Sequence, residues 1–186
     1  MPTTASRSTR RRLGAVLALL LTAAAVLVPA QAASAVTAVT CTGTNTTSYS
    51  PGLTNTTGPQ TVTSETRYTS CLHVVDLATT TMTGGFGPRT FTREQSCNDV
   101  LAPASGIQLI QWDNGSTSSF TYSRTATSVS GNLVITLTGA ITSGLYTGAL
   151  ATKTIVFNGL AGLAVCDTPP GLTSLNGTAT LVITGP

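Results

Sequence analysis

His73 is the only imidazole in the chain, so any histidine-based catalysis must run through it. A serine hydrolase would set it between an acid such as Asp76, Asp99 or Asp113 and one of the many serines. No Gly-x-Ser-x-Gly elbow marks a nucleophile, and the competing reading is a strand histidine with a structural role near Cys71. A glycosidase needs two carboxylates flanking one bond. The acids outside the first 35 residues are Glu65, Asp76, Glu94, Asp99, Asp113 and Asp167, scattered and without calcium-loop spacing. Asp113 adjoins a tight turn, where its side chain is expected to bond the turn backbone. Cys41, Cys71, Cys97 and Cys166 show no metal-clip spacing, so neither a metal site nor a cofactor is expected.

Two groups have the chemistry of binding rather than reaction. Arg89, Phe91 and Arg93 share one parity, which on a strand places an aromatic ring between two guanidinium groups. Such a face suits an anionic or sugar ligand. The alternative is an edge strand with Phe91 tucked in and arginines guarding the edge. Trp112 is the second candidate, expected to be exposed and able to stack on a sugar ring, unless the core face is inverted or a loop covers it. Asn45, Asn55, Asn114 and Asn176 begin N-x-S/T triplets, which arise easily by chance in so hydroxyl-rich a chain.

The elements that must position these residues are strands. Asn114-Gly115 predicts a two-residue type I′ hairpin turn. That register sets Gln111 opposite Ser118, Leu109 opposite Phe120 and Ile107 opposite Tyr122, with Trp112 and Ile110 on the other face. Thr37 to Tyr49 reads as a strand, followed by a turn at Ser50-Pro51-Gly52-Leu53. Gln60 to Tyr68 and Leu72 to Met82 read as further strands. Thr83 to Pro88 reads as a flexible break, and Arg89 to Arg93 as a short strand before a loop carrying Cys97. From Ile107 to Phe157 four strands form a meander, turning at Ser128 to Asn132, with Ile155 and Phe157 on one parity. Asn158 to Val165 is open between loop and strand. Cys166 to Gly171 is a loop, since two prolines cannot serve a ladder. Asn176-Gly177 turns into a last strand, Thr178 to Thr184. One all-β domain follows, an antiparallel β-sandwich, with a closed meander barrel as the rival.

The chain opens as an export signal. Arg7, Arg10, Arg11 and Arg12 precede the apolar run Leu13 to Val28, and small-x-small sites end at Ala32 and Ala35. The run is shorter than the roughly 20 residues of a membrane anchor. Thr9 to Leu13 also resembles a twin-arginine signal. Cleavage after Ala35 leaves residues 36–186 as the folded domain. The four leader arginines carry the positive balance away. Arg67, Arg89, Arg93, Arg124 and Lys153 then face six acids, a net charge of −1, which gives no case for nucleic acid as a partner. Only 8% of residues are charged, and threonine supplies the polarity that suits strands. Four cysteines in an exported chain argue for two disulfides. Of three connectivities, Cys41–Cys71 with Cys97–Cys166 is favoured, each bond worth on the order of 3–4 kcal/mol.

Tyr49-Ser50-Pro51-Gly52-Leu53, Tyr68 with Cys71, Trp112 to Ser118 and Gly139 to Gly148 together resemble a set of small exported actinobacterial all-β proteins. That set has no established activity, so the resemblance implies export and bacterial origin and transfers no site residues. In class alone the chain is similar to actinobacterial chromoprotein carriers and subtilisin inhibitors, although its cysteine spacing matches neither. The functional expectation is a secreted, non-enzymatic, monomeric β domain that binds an extracellular ligand, glycan or surface protein, away from membranes once the leader is gone. The alternatives are a small hydrolase using His73 and a protease inhibitor presenting Cys166 to Gly171.

Overall fold

From Val39 onward the sequence alternates inward apolar with outward hydroxyl residues, and this period of two builds eight antiparallel strands. The structure is a computed structural model that describes residues 37–75, 78–159 and 164–185. The expected leader lies outside the described residues. The strands are β1 (Thr37–Leu53), β2 (Gly58–Val75), β3 (Ala78–Gln95), β4 (Ala104–Trp112), β5 (Thr117–Val129), β6 (Asn132–Gly144), β7 (Leu150–Phe157) and β8 (Leu172–Gly185). Each pairs with its neighbours in sequence, and β8 closes on β1. The all-β reading therefore holds as the closed meander barrel and not as the sandwich. Successive pairing leaves no second sheet to stack, and the β8–β1 ladder joins the outer edges that a sandwich keeps.

Both favoured disulfides are present. Cys41 and Cys71 are register partners across β1 and β2, with Cα atoms 3.9 Å apart. Cys97–Cys166 ties a 3-10 turn at Cys97–Leu101 to a second one at Val165–Asp167.

Several expected boundaries move. Leu72 to Met82 is divided between β2, which ends at Val75, and β3, which begins at Ala78. Ser50 to Leu53 stays within β1, and Asn176-Gly177 lies inside β8, paired with Thr46 and Asn45. Thr83 to Pro88 is strand rather than break. A Cβ on Gly85 would stand 2.4 Å from the Thr66 carbonyl oxygen, so glycine serves close strand approach there, not flexibility.

The β4–β5 hairpin is corrected by one residue. Gln111 pairs with Thr117, Leu109 with Ser119 and Gln108 with Phe120. The loop has three residues, Asp113-Asn114-Gly115, closed by Trp112 N–H donating to Ser116 O at 2.9 Å. Only Gly115 takes positive φ, +81°, as in a type I turn followed by a left-handed residue. A slip of one residue exchanges the faces. Trp112 and Ile110 turn inward, Ile107 and Leu109 turn out, and Gln108 enters the barrel. Asp113 accepts from Thr83 N–H and Oγ1 at 2.7 and 3.1 Å, fastening the loop to β3 instead of to its own turn.

Val39, Cys41, Ile110, Trp112, Phe120, Ile141, Leu181 and Ile183 fill one half of the interior. In the other half Val62, Val100, Ile135, Leu137, Ile155, Phe157 and Leu175 are also buried, and they surround the cavity described next.

Candidate functional site: a cationic cavity with a side opening

Lys153 stands where the packed half of the barrel ends. It lies on β7 between its register partners Leu137 and Leu181, and it is 2% exposed. An inward lysine must find acceptors, because a buried ammonium without them is very costly. Its Nζ donates to Thr66 Oγ1 at 2.8 Å and to Gln108 Oε1 at 3.4 Å, and lies 3.9 Å from the centroid of the Phe86 ring. Thr66 Oγ1 also accepts from Asn45 Nδ2 at 2.8 Å. No carboxylate joins this network among the described residues. Burial alone pulls the Lys153 pKa down from 10.5 to about 7.

Lys153 opens onto a cavity of about 340 Å³. One wall is apolar and comes from the late barrel: Ile135 and Leu137 of β6, Ile155 and Phe157 of β7, and Leu175 of β8. The other wall carries Arg89, Phe91 and Arg93 of β3 and Arg124 of β5, with Tyr49 and Tyr122. Four of the five cations that follow residue 35 thus line one chamber, and no lining residue is acidic.

The arginines are held in different ways. Arg89 and Arg93 each place Cζ 5.6 Å from the centroid of Phe91, so the expected arginine–aromatic–arginine face does form. Arg93 Nε donates to Gln95 Oε1 at 2.6 Å. Arg124 donates through both terminal nitrogens to the carbonyls of Val100 and Ala102, securing the 3-10 turn over the barrel end. Burial lowers the pKa of Arg124, and the charge of Arg93 acts in the same sense against the pull of Tyr49. Burial also raises the Tyr49 pKa, although both arginines oppose it.

The wall has a gap. β3 and β4 pair only at Gly84, Gly85 and Phe86 against Trp112, Gln111 and Ile110. Beyond Phe86 the strands part, and a second chamber of about 620 Å³ lies between Gly87 to Thr90 on one side and Ile107 to Leu109 on the other. Arg89 Nη1 spans the parting to donate to Ile107 O at 2.9 Å. The two chambers share Ser64, Arg89, Gln108 and Lys153, so the parting leads to the buried ammonium.

Trp112 does not join this site. Its expected exposure is overturned: it is 4% exposed, Nε1 donates to Ser118 Oγ at 2.9 Å, and its ring meets Tyr146 edge-on at 5.6 Å. The register slip is the cause. His73 packs its ring on Tyr146 at 5.2 Å, with Nδ1 3.4 Å from Thr80 Oγ1, so its polar neighbour is a threonine rather than a serine. Four acids have other occupations: Glu65 pairs with Arg67 at 2.7 Å, Asp99 accepts from Ser96 N–H and Oγ, Asp113 from Thr83, and Asp167 from Asn55. Cys166 to Gly171 is folded into successive turns closed by Thr168 N–H to Val165 O and Gly171 N–H to Thr168 O.

Lys153, Arg124, Gln108 and Thr66 were not singled out by their sequence context. For Lys153 a signal was present, since it shares the parity of Ile155 and Phe157 and so belongs to the core face of β7. Gln108 had none, because its inward position depends on the slipped register. Comparison with protein-family models, with curated proteins and with solved structures returns no match.

Proposed function

We propose that this protein is a secreted, non-enzymatic carrier or receptor barrel that binds a small anion with an apolar body. One observation carries the reading: four cations converge on a cavity whose opposite wall is aliphatic and whose lining holds no carboxylate. Lys153 is buried and Arg124 half-buried, while Arg89 and Arg93 are exposed at the rim. Like charges brought this close repel one another, and an anion would offset that repulsion. An eight-stranded barrel has room for one small ligand. The outward threonines and serines, such as Thr40, Thr42, Thr44, Thr46 and Ser48 on β1, contrast with the apolar outer band of membrane barrels. Two disulfides fit an oxidising, extracellular setting. Among the described residues no helix is long and apolar enough to cross a membrane. Protein recovered from culture medium should begin at Val36.

Titration with anilinonaphthalene sulfonate, an apolar anion, tests the reading by fluorescence. One saturable site is expected, weakened by salt and weakened further in the double variant Lys153→Met/Arg93→Ala. An absence of saturable binding, or equal affinity in that variant, would sink it.

A further inference from the structure

The four cations fall into two pairs. Arg89 and Lys153 line both chambers, whereas Arg93 and Arg124 line only the smaller one. Arg89 bonds the carbonyl of Ile107, next in sequence to the Gln108 that meets Lys153, so the first pair gathers at the parting of β3 and β4. Arg93 and Arg124 gather at the other end, one on Gln95, which ends β3 before the 3-10 turn, and the other on Val100 within that turn and on its C-cap Ala102. Arg89 and Arg93 are four residues apart on one extended strand, with Cα atoms about 13 Å apart. Since each guanidinium carbon lies 5.6 Å from the Phe91 centroid, the two charges stand no more than about 11 Å apart. Between them lies Phe91, and across the cavity lie Leu137 and Ile155.

Resting on the cavity reading above, we infer that the ligand is a two-ended dianion, with an acidic group at each end of an apolar body long enough to span the two cation pairs. One end meets Lys153 and Arg89, the other Arg93 and Arg124, and the hydrocarbon between them lies on Phe91, Leu137 and Ile155. A ligand with one head would leave one cation pair without a counter-charge. As an ammonium Lys153 has three N–H donors and uses two on Thr66 and Gln108. Its Nζ also lies 3.9 Å from the Phe86 centroid, so the ligand takes the third in competition with that ring. The parting of β3 and β4 is the entry, and the acid that arrives first is the one Lys153 receives.

The test is calorimetric titration of the purified protein with dodecanedioic acid, dodecanoic acid and hexanedioic acid. The long diacid is expected to bind at least about ten-fold tighter than either of the others. Lys153→Met and Arg93→Ala should each remove one end and bring the long diacid to within about two-fold of dodecanoic acid. Arg93 is exposed, so its variant tests the far end without disturbing the core. Equal affinity for the long monoacid and diacid, or an unchanged ratio in both variants, overturns the two-ended ligand. If anilinonaphthalene sulfonate still binds in that case, the cavity reading stands. If no acid and no sulfonate binds, both fall.

Discussion

Lys153 is buried on Thr66, Gln108 and the Phe86 ring with no counter-charge among the described residues, and the cost of that arrangement depends on pH. Its pKa is about 7 folded and near 10.4 in an unfolded chain. Between those values the unfolded chain keeps a proton that the native state has released, so this group makes stability rise with pH across that window. Below the folded pKa both states are charged and the cost is complete, on the order of 5 kcal/mol. Above the unfolded pKa both are neutral and the cost is gone. Buried Tyr49 and Tyr68, whose pKa values are raised, act in the opposite direction at high pH, so a difference between variants isolates the lysine. Lys153→Met keeps the length and removes the charge. Urea unfolding should find it more stable than the parent at pH 6 by about 1–4 kcal/mol, with the two converging toward pH 10.5. A gap independent of pH would mean that the ammonium is solvated. At this scale the sequence was partly legible. The β7 alternation marks Lys153 as inward, but a net charge of one sign says nothing about where the opposite sign collects.

Two glycines distinguish the ways in which strands and turns depend on a missing side chain. Gly85 lets β3 press against β2, where a Cβ would meet the backbone oxygen of Thr66 at 2.4 Å. Gly115 meets nothing within 4 Å but holds φ at +81°. Gly85→Ala is therefore expected to cost about 1–3 kcal/mol through forced displacement, and to weaken anion binding because Thr66 also holds Lys153. Gly115→Ala should cost roughly 1 kcal/mol through backbone conformation alone, with binding unchanged. Denaturant midpoints paired with ligand titrations decide both, and weakened binding in Gly115→Ala would refute the separation. The element boundaries that composition misplaced have the same origin. Gly84-Gly85 and Asn176-Gly177 have turn composition, yet in a narrow barrel they mark places where two backbones touch. The Asn114-Gly115 signal located the hairpin correctly. It could not fix the register, because a two-residue and a three-residue loop accept the same dipeptide and differ only in which side chains they bury. Burying Trp112 and Ile110 settled that choice.

For the molecule as a whole, the disulfides close loops of sequence separation 30 and 69, and the chain-entropy model gives each about 4 kcal/mol. Reduction should therefore lower the unfolding midpoint steeply. Replacing Cys97 and Cys166 by serine should also reduce anion affinity, because that bond secures the turn on which Arg124 rests. Loss of Cys41–Cys71 should lower stability and leave affinity alone. Thermal melts and titrations on the two double variants test this, and identical binding losses would refute it. The all-β class and the presence of two disulfides could be read from alternation and cysteine count, whereas the choice among three pairings follows only from the fold, which sets Cys41 opposite Cys71 and brings Cys97 to Cys166. Closure could not, since the same alternation feeds a sandwich, and only the pairing of first and last strands separates them. That last pairing has a consequence of its own. Thr37 lies opposite Gly185, one strand spacing apart, so a short glycine–serine bridge could join them while the chain is reopened at the exposed Ser130-Gly131 corner. Such a circular permutant keeps every ladder partner and begins and ends at a tight turn, away from the parting between Arg89 and Ile107.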